Sequence, residues 1–275
     1  MATGTVLCLG LDPDPSSLPA DFPADIVGVE RFASVLLDAA LPYVAAVKPN
    51  LAFFEAFGSA GIAVLERVRA RIPSDVPLIA DAKRGDIGST AARQAVALFD
   101  ALGADAVTVS PYLGPDAVSP LLERLDRFAY ILCRTSNPGA GDIQDLPVAT
   151  NVAGGAPHEP LHERIARDVI GWGPGGTVGL VVGATVPEEL ARIRSIAPGL
   201  AFLVPGVGAQ GGAVAPVLEH GRATAPPAGP RAGGGLLVNV SRGIAGAALD
   251  SPGREHGERL AAAARDWAER LPVLP

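Results

Sequence analysis

The chain has 275 residues, a length that fits one large α/β barrel or two small domains. Hydrophobic residues make up 48% of it and charged residues 19%, which indicates a compact core and excludes a disordered protein. The net charge of −7 argues against a nucleic-acid partner, and an anionic ligand would need a local positive pocket. The chain has no signal-like start and no apolar stretch long enough to cross a bilayer, so we expect a soluble cytoplasmic protein.

Eight short apolar runs, each predicted to be a β-strand, alternate with helical patterns along the chain. In the helix predicted from about Glu30, Phe32, Val35, Leu36 and Ala39 follow the spacing of one helix face. The alternation predicts a (β/α)8 TIM barrel with eight parallel strands, folded as a single domain over residues 1–275. The predicted strands are 5–12, 45–50, 78–83, 106–110, 129–134, 178–183, 201–206 and 236–241.

The third predicted strand begins as a buried apolar run but ends in charges. Asp81 and Lys83 point to the same face of the strand, because side chains alternate. A turn at Arg84-Gly85 is then predicted to bring the Asp86 carboxylate close to Lys83. This Asp-x-Lys-x-x-Asp pattern has two explanations. It is either a functional site or a structural ion pair in which Asp86 caps the next helix.

The barrel prediction extends this group, since barrel enzymes take their functional residues from the carboxyl ends of several strands. The second and third strands are neighbours, so we expect an array of Lys48, Asp81, Lys83 and Asp86. Alternating charges favour protonated lysines and ionised carboxylates. Such an array suits a reaction that needs a fixed negative charge and an acid next to a developing carbanion. The residues selected in this way are Asp12, Lys48, Asp81, Lys83, Asp86, Ser136 and Arg242.

Two further loops predict a phosphate site. The run Pro205-Gly206-Val207-Gly208-Ala209-Gln210-Gly211-Gly212 follows the seventh strand, and Ser241-Arg242-Gly243 follows the eighth. Glycines let backbone N–H groups approach an anion, and the guanidinium of Arg242 is a planar donor for phosphate oxygens. Barrel enzymes often bind phosphate at these two positions.

No metal site stands out in the sequence, and no dinucleotide-binding motif follows the first strand. Cys8 and Cys133 lie in apolar runs and are predicted to be buried free thiols. All histidines are predicted to lie at the surface, in loops or on helices. They are His158, His162, His220 and His256.

Two long segments interrupt the alternation. Residues 211–235 are predicted to contain a helix around Val214, Val217 and Leu218, followed by a Pro/Gly-rich part. We interpret this segment as a mobile flap on the phosphate side; a surface insertion without a role is the alternative. Residues 137–160 are predicted to be a second long loop between a strand and a helix.

Several motifs in the same order resemble the orotidine 5′-phosphate decarboxylase family, and most of all its second bacterial subgroup. The resemblance runs from Asp12 to about Gly243. The motifs are Lys48-Pro49-Asn50, Asp81-Ala82-Lys83-Arg84-Gly85-Asp86-Ile87, Thr135-Ser136-Asn137-Pro138-Gly139, the glycine-rich run from Pro205 to Gly212, and Ser241-Arg242-Gly243.

The resemblance implies decarboxylation of orotidine 5′-phosphate to uridine 5′-phosphate without a cofactor. By analogy, Asp81 lies against the substrate carboxylate and Lys83 protonates the C6 carbanion. Lys48 orients Asp81 and contacts the ribose, and Asp12 binds a ribose hydroxyl.

The resemblance also implies a homodimer, with Asp86 and Ile87 reaching into the partner's site and Thr90 assisting. It assigns pyrimidine binding to Ser136 and phosphate binding to Gln210 and Arg242. Two alternatives remain at this point. One is a magnesium-dependent sugar-phosphate decarboxylase or synthase of the same superfamily, and the other is a non-catalytic barrel that binds a phosphate ligand.

Overall fold

A parallel sheet of eight strands forms the centre of the protein, whose computed structural model describes residues 4–150, 157–173, 176–226, 235–249 and 256–273. Two shorter strands in the described part form an antiparallel hairpin. The strands are β1 (Leu7–Leu11), β2 (Ala46–Pro49), β3 (Ile79–Arg84), β4 (Ala106–Val109), β5 (Phe128–Arg134), β6 (Pro147–Ala149), β7 (His158–Pro160), β8 (Val178–Val182), β9 (Ala201–Pro205) and β10 (Leu236–Val240).

The sheet closes on itself between β2 and β3. The sheet order is β2-β1-β10-β9-β8-β5-β4-β3, so β2 and β3 are its two ends. Parallel bridges join Val47 to Leu78 and Asn50 to Asp81, and the Leu51 N–H donates to the Asp81 carbonyl at 3.2 Å. This closure confirms the predicted (β/α)8 barrel, and each of its eight strands overlaps a predicted strand segment, with β3 and β5 each extending one residue beyond it.

Helices follow the barrel strands and cover the outside of the sheet. The first begins at Ile26 rather than at about Glu30, because the Asp25 carboxylate caps it by accepting from the N–H groups of Val27 and Gly28. None of the described helices is both long enough and apolar enough to cross a membrane. The helices are α1 (Ile26–Ala40), α2 (Ala52–Glu55), α3 (Gly58–Arg71), α4 (Gly88–Ala95), α5 (Pro115–Leu122), α6 (Gly141–Gln144), α7 (Leu161–Val169), α8 (Pro187–Ile196), α9 (Val214–Gly221), α10 (Arg242–Ala245) and α11 (His256–Arg270).

Alternation along the strands creates two apolar layers. One layer fills the inside of the barrel and includes Cys8, Ile79, Ala106 and Leu203. The other lies between the outer face of the sheet and the helices, and it contains Leu9 among many aliphatic side chains. The polar side chains of the candidate site therefore begin where the inner layer ends. Both cysteines are buried and free, as predicted.

The segment 137–160 is a loop between β5 and α7, as predicted, but it has regular structure. It contains α6 and the hairpin of β6 and β7, in which Val148 pairs with Glu159. Residues 151–156 lie outside the described part of the chain.

The segment 211–235 is divided between the two ends of the barrel. Its predicted helix is confirmed as α9, which carries the chain from the carboxyl ends of the strands to their amino ends. There the Thr224 N–H donates to the Pro198 carbonyl at 2.9 Å, and the Phe202 N–H donates to the Gly235 carbonyl at 2.7 Å. The prediction of a phosphate-side flap is therefore wrong for residues 222–226 and Gly235. Residues 227–234 of the predicted flap lie outside the described residues.

Candidate active site

Two lysines share one buried carboxylate at the carboxyl ends of β2 and β3. Lys48 Nζ donates to Asp81 Oδ2, and Lys83 Nζ donates to Asp81 Oδ1 at 2.6 Å. Lys48 and Asp81 are both buried, whereas the Lys83 side chain is half-exposed. The structure thus places Lys48, Asp81 and Lys83 in the predicted array, with the exposed ammonium facing the barrel mouth.

The ionisation of this cluster follows from its geometry. Burial alone raises the pKa of Asp81, but the charges of Lys48 and Lys83 outweigh burial and lower it from the ordinary 3.8 to about 2. Burial alone lowers the pKa of Lys48, but the carboxylates of Asp81 and Asp12 outweigh it, so the pKa of this ammonium is raised. At neutral pH the array therefore holds an ionised carboxylate at Asp81 and a buried ammonium at Lys48.

β3 bends at Lys83, one residue before the strand ends at Arg84. Lys83 has a φ of 46°, a left-handed conformation that is uncommon for residues other than glycine. Its backbone N–H donates to Thr108 Oγ1 at 3.0 Å, and the Thr108 hydroxyl donates to Asp81 Oδ1 at 2.9 Å. Gly85 is needed for a different reason, because a Cβ there would lie 2.8 Å from the Ser110 carbonyl oxygen.

Asp86 is not part of the ion-paired array, contrary to the prediction. Within the described residues no hydrogen bond or ion pair joins it to Lys83, and its Oδ1 instead accepts from the Ile87 N–H at 2.7 Å. It does not cap α4 either, since the N-cap position belongs to Ile87. The bend at Lys83, within β3, redirects the chain before it reaches Asp86. Ile87 and Thr90 are exposed on the same segment.

Two buried polar atoms next to the array have no hydrogen-bond partner among the described residues. They are Asp12 Oδ1, just after β1, and Asn239 Oδ1, on β10. Asn239 lies against Gly10, whose missing side chain makes room for it: a Cβ there would be 3.0 Å from Asn239 Nδ2. Unpaired buried acceptors are costly, so both atoms are available to a ligand donor. Asp12 was predicted at this edge, and Asn239 was missed.

Ser136, after β5, and Gln210, after β9, meet on the side of the barrel mouth opposite the β2–β3 closure. Ser136 Oγ donates to Gln210 Oε1 at 2.7 Å. Two glycines allow this approach, because a Cβ at Gly183 or Gly206 would lie 2.9 Å or 3.2 Å from Ser136 Cβ. The structure therefore brings Ser136, which was predicted to bind the pyrimidine, into contact with Gln210 of the glycine-rich run.

Arg242 is exposed at the start of α10, in the loop that follows β10. The glycine-rich run from Pro205 to Gly212 is the second loop of the predicted phosphate site. Trp267 of α11 packs between the two loops: a Cβ at Gly208 would be 3.1 Å from its ring, and a Cβ at Gly243 would be 2.9 Å from its Nε1. Its Nε1–H also donates to the Gly243 carbonyl at 3.1 Å. Trp267 lies on the buried face of α11, and it holds both loops of the candidate phosphate site.

A partly buried polar cluster adjoins the Ser136 loop. Arg134 Nε is 3.0 Å from Asp145 Oδ1, and His162 Nδ1 is 3.1 Å from the same oxygen. The Thr135 N–H donates to Gln144 Oε1 at 2.8 Å. The prediction that His162 lies at the surface is wrong, because its apolar helix face turns inward and the ring is buried against this carboxylate.

The fold and this cluster define a class of protein. A closed β/α barrel with charged side chains at the carboxyl ends of its strands, next to glycine-rich loops after the last two, is the arrangement of β/α-barrel enzymes. Among the residues that the structure describes, no group of three or more His, Cys, Asp or Glu side chains could hold a metal ion.

Comparison with known proteins identifies the family. Residues 5–255 match the orotidine 5′-phosphate decarboxylase / HUMPS family, and the chain belongs to it. It is 49% identical to orotidine 5′-phosphate decarboxylase of Roseiflexus castenholzii over 265 residues, which cover 96% of this chain and 90% of that one.

Solved structures agree with this assignment. The structure of OMP decarboxylase from Leishmania donovani matches with a TM-score of 0.78 and 39% identity, covering 98% of this chain and 93% of that one. UMP synthase from the same organism matches with a TM-score of 0.80 and 41% identity, and there the chain spans only 53% of the longer protein.

Proposed function

We propose that this protein decarboxylates orotidine 5′-phosphate to uridine 5′-phosphate and carbon dioxide. The observation that carries the proposal is the Lys48–Asp81–Lys83 array at the barrel mouth of a chain that belongs to this family. A buried carboxylate held ionised between two ammonium groups suits the formation and protonation of a carbanion.

In the proposed reaction, the bond between C6 and the substrate carboxylate breaks and its electron pair stays on C6. Lys83 Nζ then donates a proton to C6, so the product carries hydrogen where the carboxylate was. Asp81 faces the departing carboxylate, and Lys48 keeps Asp81 ionised and in place. The reaction uses the chain's own groups and no cofactor.

Substrate binding is proposed to use the other residues at the barrel mouth. Asp12 supplies an unpaired carboxylate oxygen for a ribose hydroxyl, and Ser136 contacts the pyrimidine. Gln210 and Arg242 bind the phosphate, which lies away from the bond that breaks. Binding energy from such a remote group can organise the charged array around the reacting atoms.

We further propose that the active form is a homodimer in which Asp86, Ile87 and Thr90 reach the partner's site. Supporting this, the loops after β3 and β4 carry apolar side chains open to solvent. Ile87 is 63% exposed, Tyr112 86% and Leu113 51%. Exposed apolar patches of this kind often mark protein–protein contacts.

The test is the loss of orotidine 5′-phosphate absorbance on adding the purified protein in EDTA-treated buffer. Turnover under these conditions is the expected result. If the protein is silent there but acts on a sugar phosphate once magnesium is added, the proposal is wrong and the related sugar-phosphate chemistry replaces it. Nucleotide binding without turnover in either buffer would indicate a non-catalytic barrel.

A further inference from the structure

Thr108 is a polar residue inside an otherwise apolar strand. It lies on β4, next to β3, and is only 2% exposed. Ala106, two residues earlier, belongs to the layer that fills the inside of the barrel. Because side chains alternate along a strand, Thr108 also points into the barrel, one step closer to the carboxyl ends.

The Thr108 hydroxyl makes two hydrogen bonds, and chemistry fixes their directions. An ionised carboxylate can only accept, so the hydroxyl donates its hydrogen to Asp81 Oδ1 across 2.9 Å. The Lys83 N–H can only donate, so the hydroxyl oxygen accepts from it across 3.0 Å. One side chain thus connects the carboxylate of Asp81 to the backbone of Lys83.

These two bonds lie where the pairing of β3 with β4 becomes irregular. Ala80 pairs with Val107 and Arg84 pairs with Val109, so residues 81–83 of β3 lie opposite Thr108 alone. The Lys83 N–H, left without a strand partner, bonds to a side chain instead. This bulge is also the point at which Lys83 adopts its left-handed conformation.

We propose that Thr108 is a positioning residue for the Asp81–Lys83 pair, an inference that rests on the function proposed above. Its hydroxyl holds the Lys83 backbone in the left-handed turn and fixes the Asp81 oxygen to which Lys83 Nζ also bonds at 2.6 Å. Removing the hydroxyl frees both ends of the pair at once. Lys83 then spends less time in the geometry that delivers its proton.

Thr5 provides a matched control elsewhere in the barrel. It is also a buried threonine whose oxygen accepts from a backbone N–H, that of Leu7 at 3.1 Å, and whose hydroxyl donates, to the Leu271 carbonyl at 2.7 Å. Thr5 lies before β1, at the amino ends of the strands and away from the candidate site. A Thr5→Val variant therefore reports the general cost of losing such a hydroxyl.

The kinetic test compares Thr108→Val, Thr108→Ser and Thr5→Val on orotidine 5′-phosphate. For Thr108→Val we expect kcat to fall about 10- to 100-fold, the usual effect of losing a hydrogen bond to a charged group, with KM changed by less than about threefold. Thr108→Ser, which keeps the hydroxyl, should recover kcat to within about threefold of wild type, and Thr5→Val should leave it unchanged. An unaltered kcat in Thr108→Val, or a serine variant as slow as the valine variant, overturns the proposal.

A second measurement needs no turnover. The chain has only two lysines, so protein labelled with ¹⁵N-lysine gives two backbone amide signals, those of Lys48 and Lys83. We expect the Lys83 amide to exchange slowly with solvent in the wild type and in Thr108→Ser, which keeps the accepting oxygen, and to exchange at least tenfold faster in Thr108→Val. The Lys48 amide should stay protected in all three proteins. Rapid exchange at Lys83 in the wild type refutes the proposal. If the wild type fails to turn over orotidine 5′-phosphate, the proposed function fails, and the exchange measurement still tests Thr108.

Discussion

Lys83 combines a constrained backbone with a half-exposed ammonium group. For Lys83→Ala we expect kcat on orotidine 5′-phosphate to fall at least about a thousandfold, because the proposed general acid is removed. The fold should survive, because the half-exposed Lys83 side chain lies at the barrel mouth and its removal leaves no cavity in the core. The absorbance assay and a thermal unfolding curve by circular dichroism measure the two effects.

Lys83→Arg is the matched variant, because it keeps the positive charge but places a guanidinium where an ammonium releases a proton. We expect it to be nearly as inactive as the alanine variant. Substantial activity in either variant would assign proton donation to another group.

The charge of Asp81 should be visible in the pH dependence of stability. Its pKa in the folded protein, about 2, lies below the ordinary 3.8, so ionised Asp81 stabilises the native state. That stabilisation is complete above about pH 4 and is lost as the pH falls towards 2. For Asp81→Asn we expect a loss of about 3 kcal/mol at neutral pH, because Lys48 is left buried without its partner.

Urea unfolding of wild type and Asp81→Asn at several pH values measures this effect. The difference between the two proteins should be constant from pH 5 to pH 8, a window that lies above both pKa values. It should shrink below about pH 4. A difference that persists unchanged to the lowest pH at which both fold would contradict the lowered pKa of Asp81.

At the scale of secondary-structure elements, Arg194 joins three segments at the amino ends of the strands. Its guanidinium donates to main-chain carbonyls: those of Ala197 at 2.9 Å, Leu200 at 2.7 Å and Gly221 at 2.5 Å. It also stacks on the Phe202 ring, 3.5 Å from the ring centre. The ends of α8 and α9 are therefore held to β9 by one buried cation.

Arg194→Met should destabilise the protein by about 3 kcal/mol, because several buried carbonyls lose their donor. KM and kcat should change little, since Arg194 lies at the end of the barrel opposite the candidate site. Arg71→Met is the control: Arg71 pairs with Asp38 on the surface, and its loss should cost less than about 1 kcal/mol. Equal stability of the two variants in urea would show that Arg194 does not hold these elements together.

The strands and helices were largely predictable from the sequence, whereas the hydrogen bonds and ion pairs between them were not. The strands and the face shared by Asp81 and Lys83 follow from local alternation, which a sequence displays directly. The bond from Thr108 to Lys83 and the buried contact of His162 with Asp145 join residues that are distant in the chain. Asp86 was misplaced because β3 bends at Lys83 before the strand ends, and a lysine seldom adopts the left-handed conformation found there.

At the scale of the whole molecule, the proposed dimer can be tested at Ile87. Ile87→Glu places a charge on the exposed apolar surface, so we expect sedimentation velocity to show a shift from dimer to monomer and activity to fall with it. Leu125→Glu is the control, because Leu125 is just as exposed, at 69%, but lies between α5 and β5 at the amino ends of the strands. A monomeric wild type, or dissociation by both substitutions alike, would contradict the proposed interface.

The scarcity of lysine gives the protein an unusual chemical property. Every basic side chain except Lys48 and Lys83 is an arginine or a histidine. The Lys48 side chain is only 6% exposed and that of Lys83 is 49% exposed, so a reagent that acylates amines meets a single accessible side chain, at the barrel mouth. The number of acyl groups taken up per chain, corrected for the terminal amine, therefore gives the fraction of intact sites in a preparation. Protection of Lys83 from acylation by a bound nucleotide gives the fraction of those sites that is occupied.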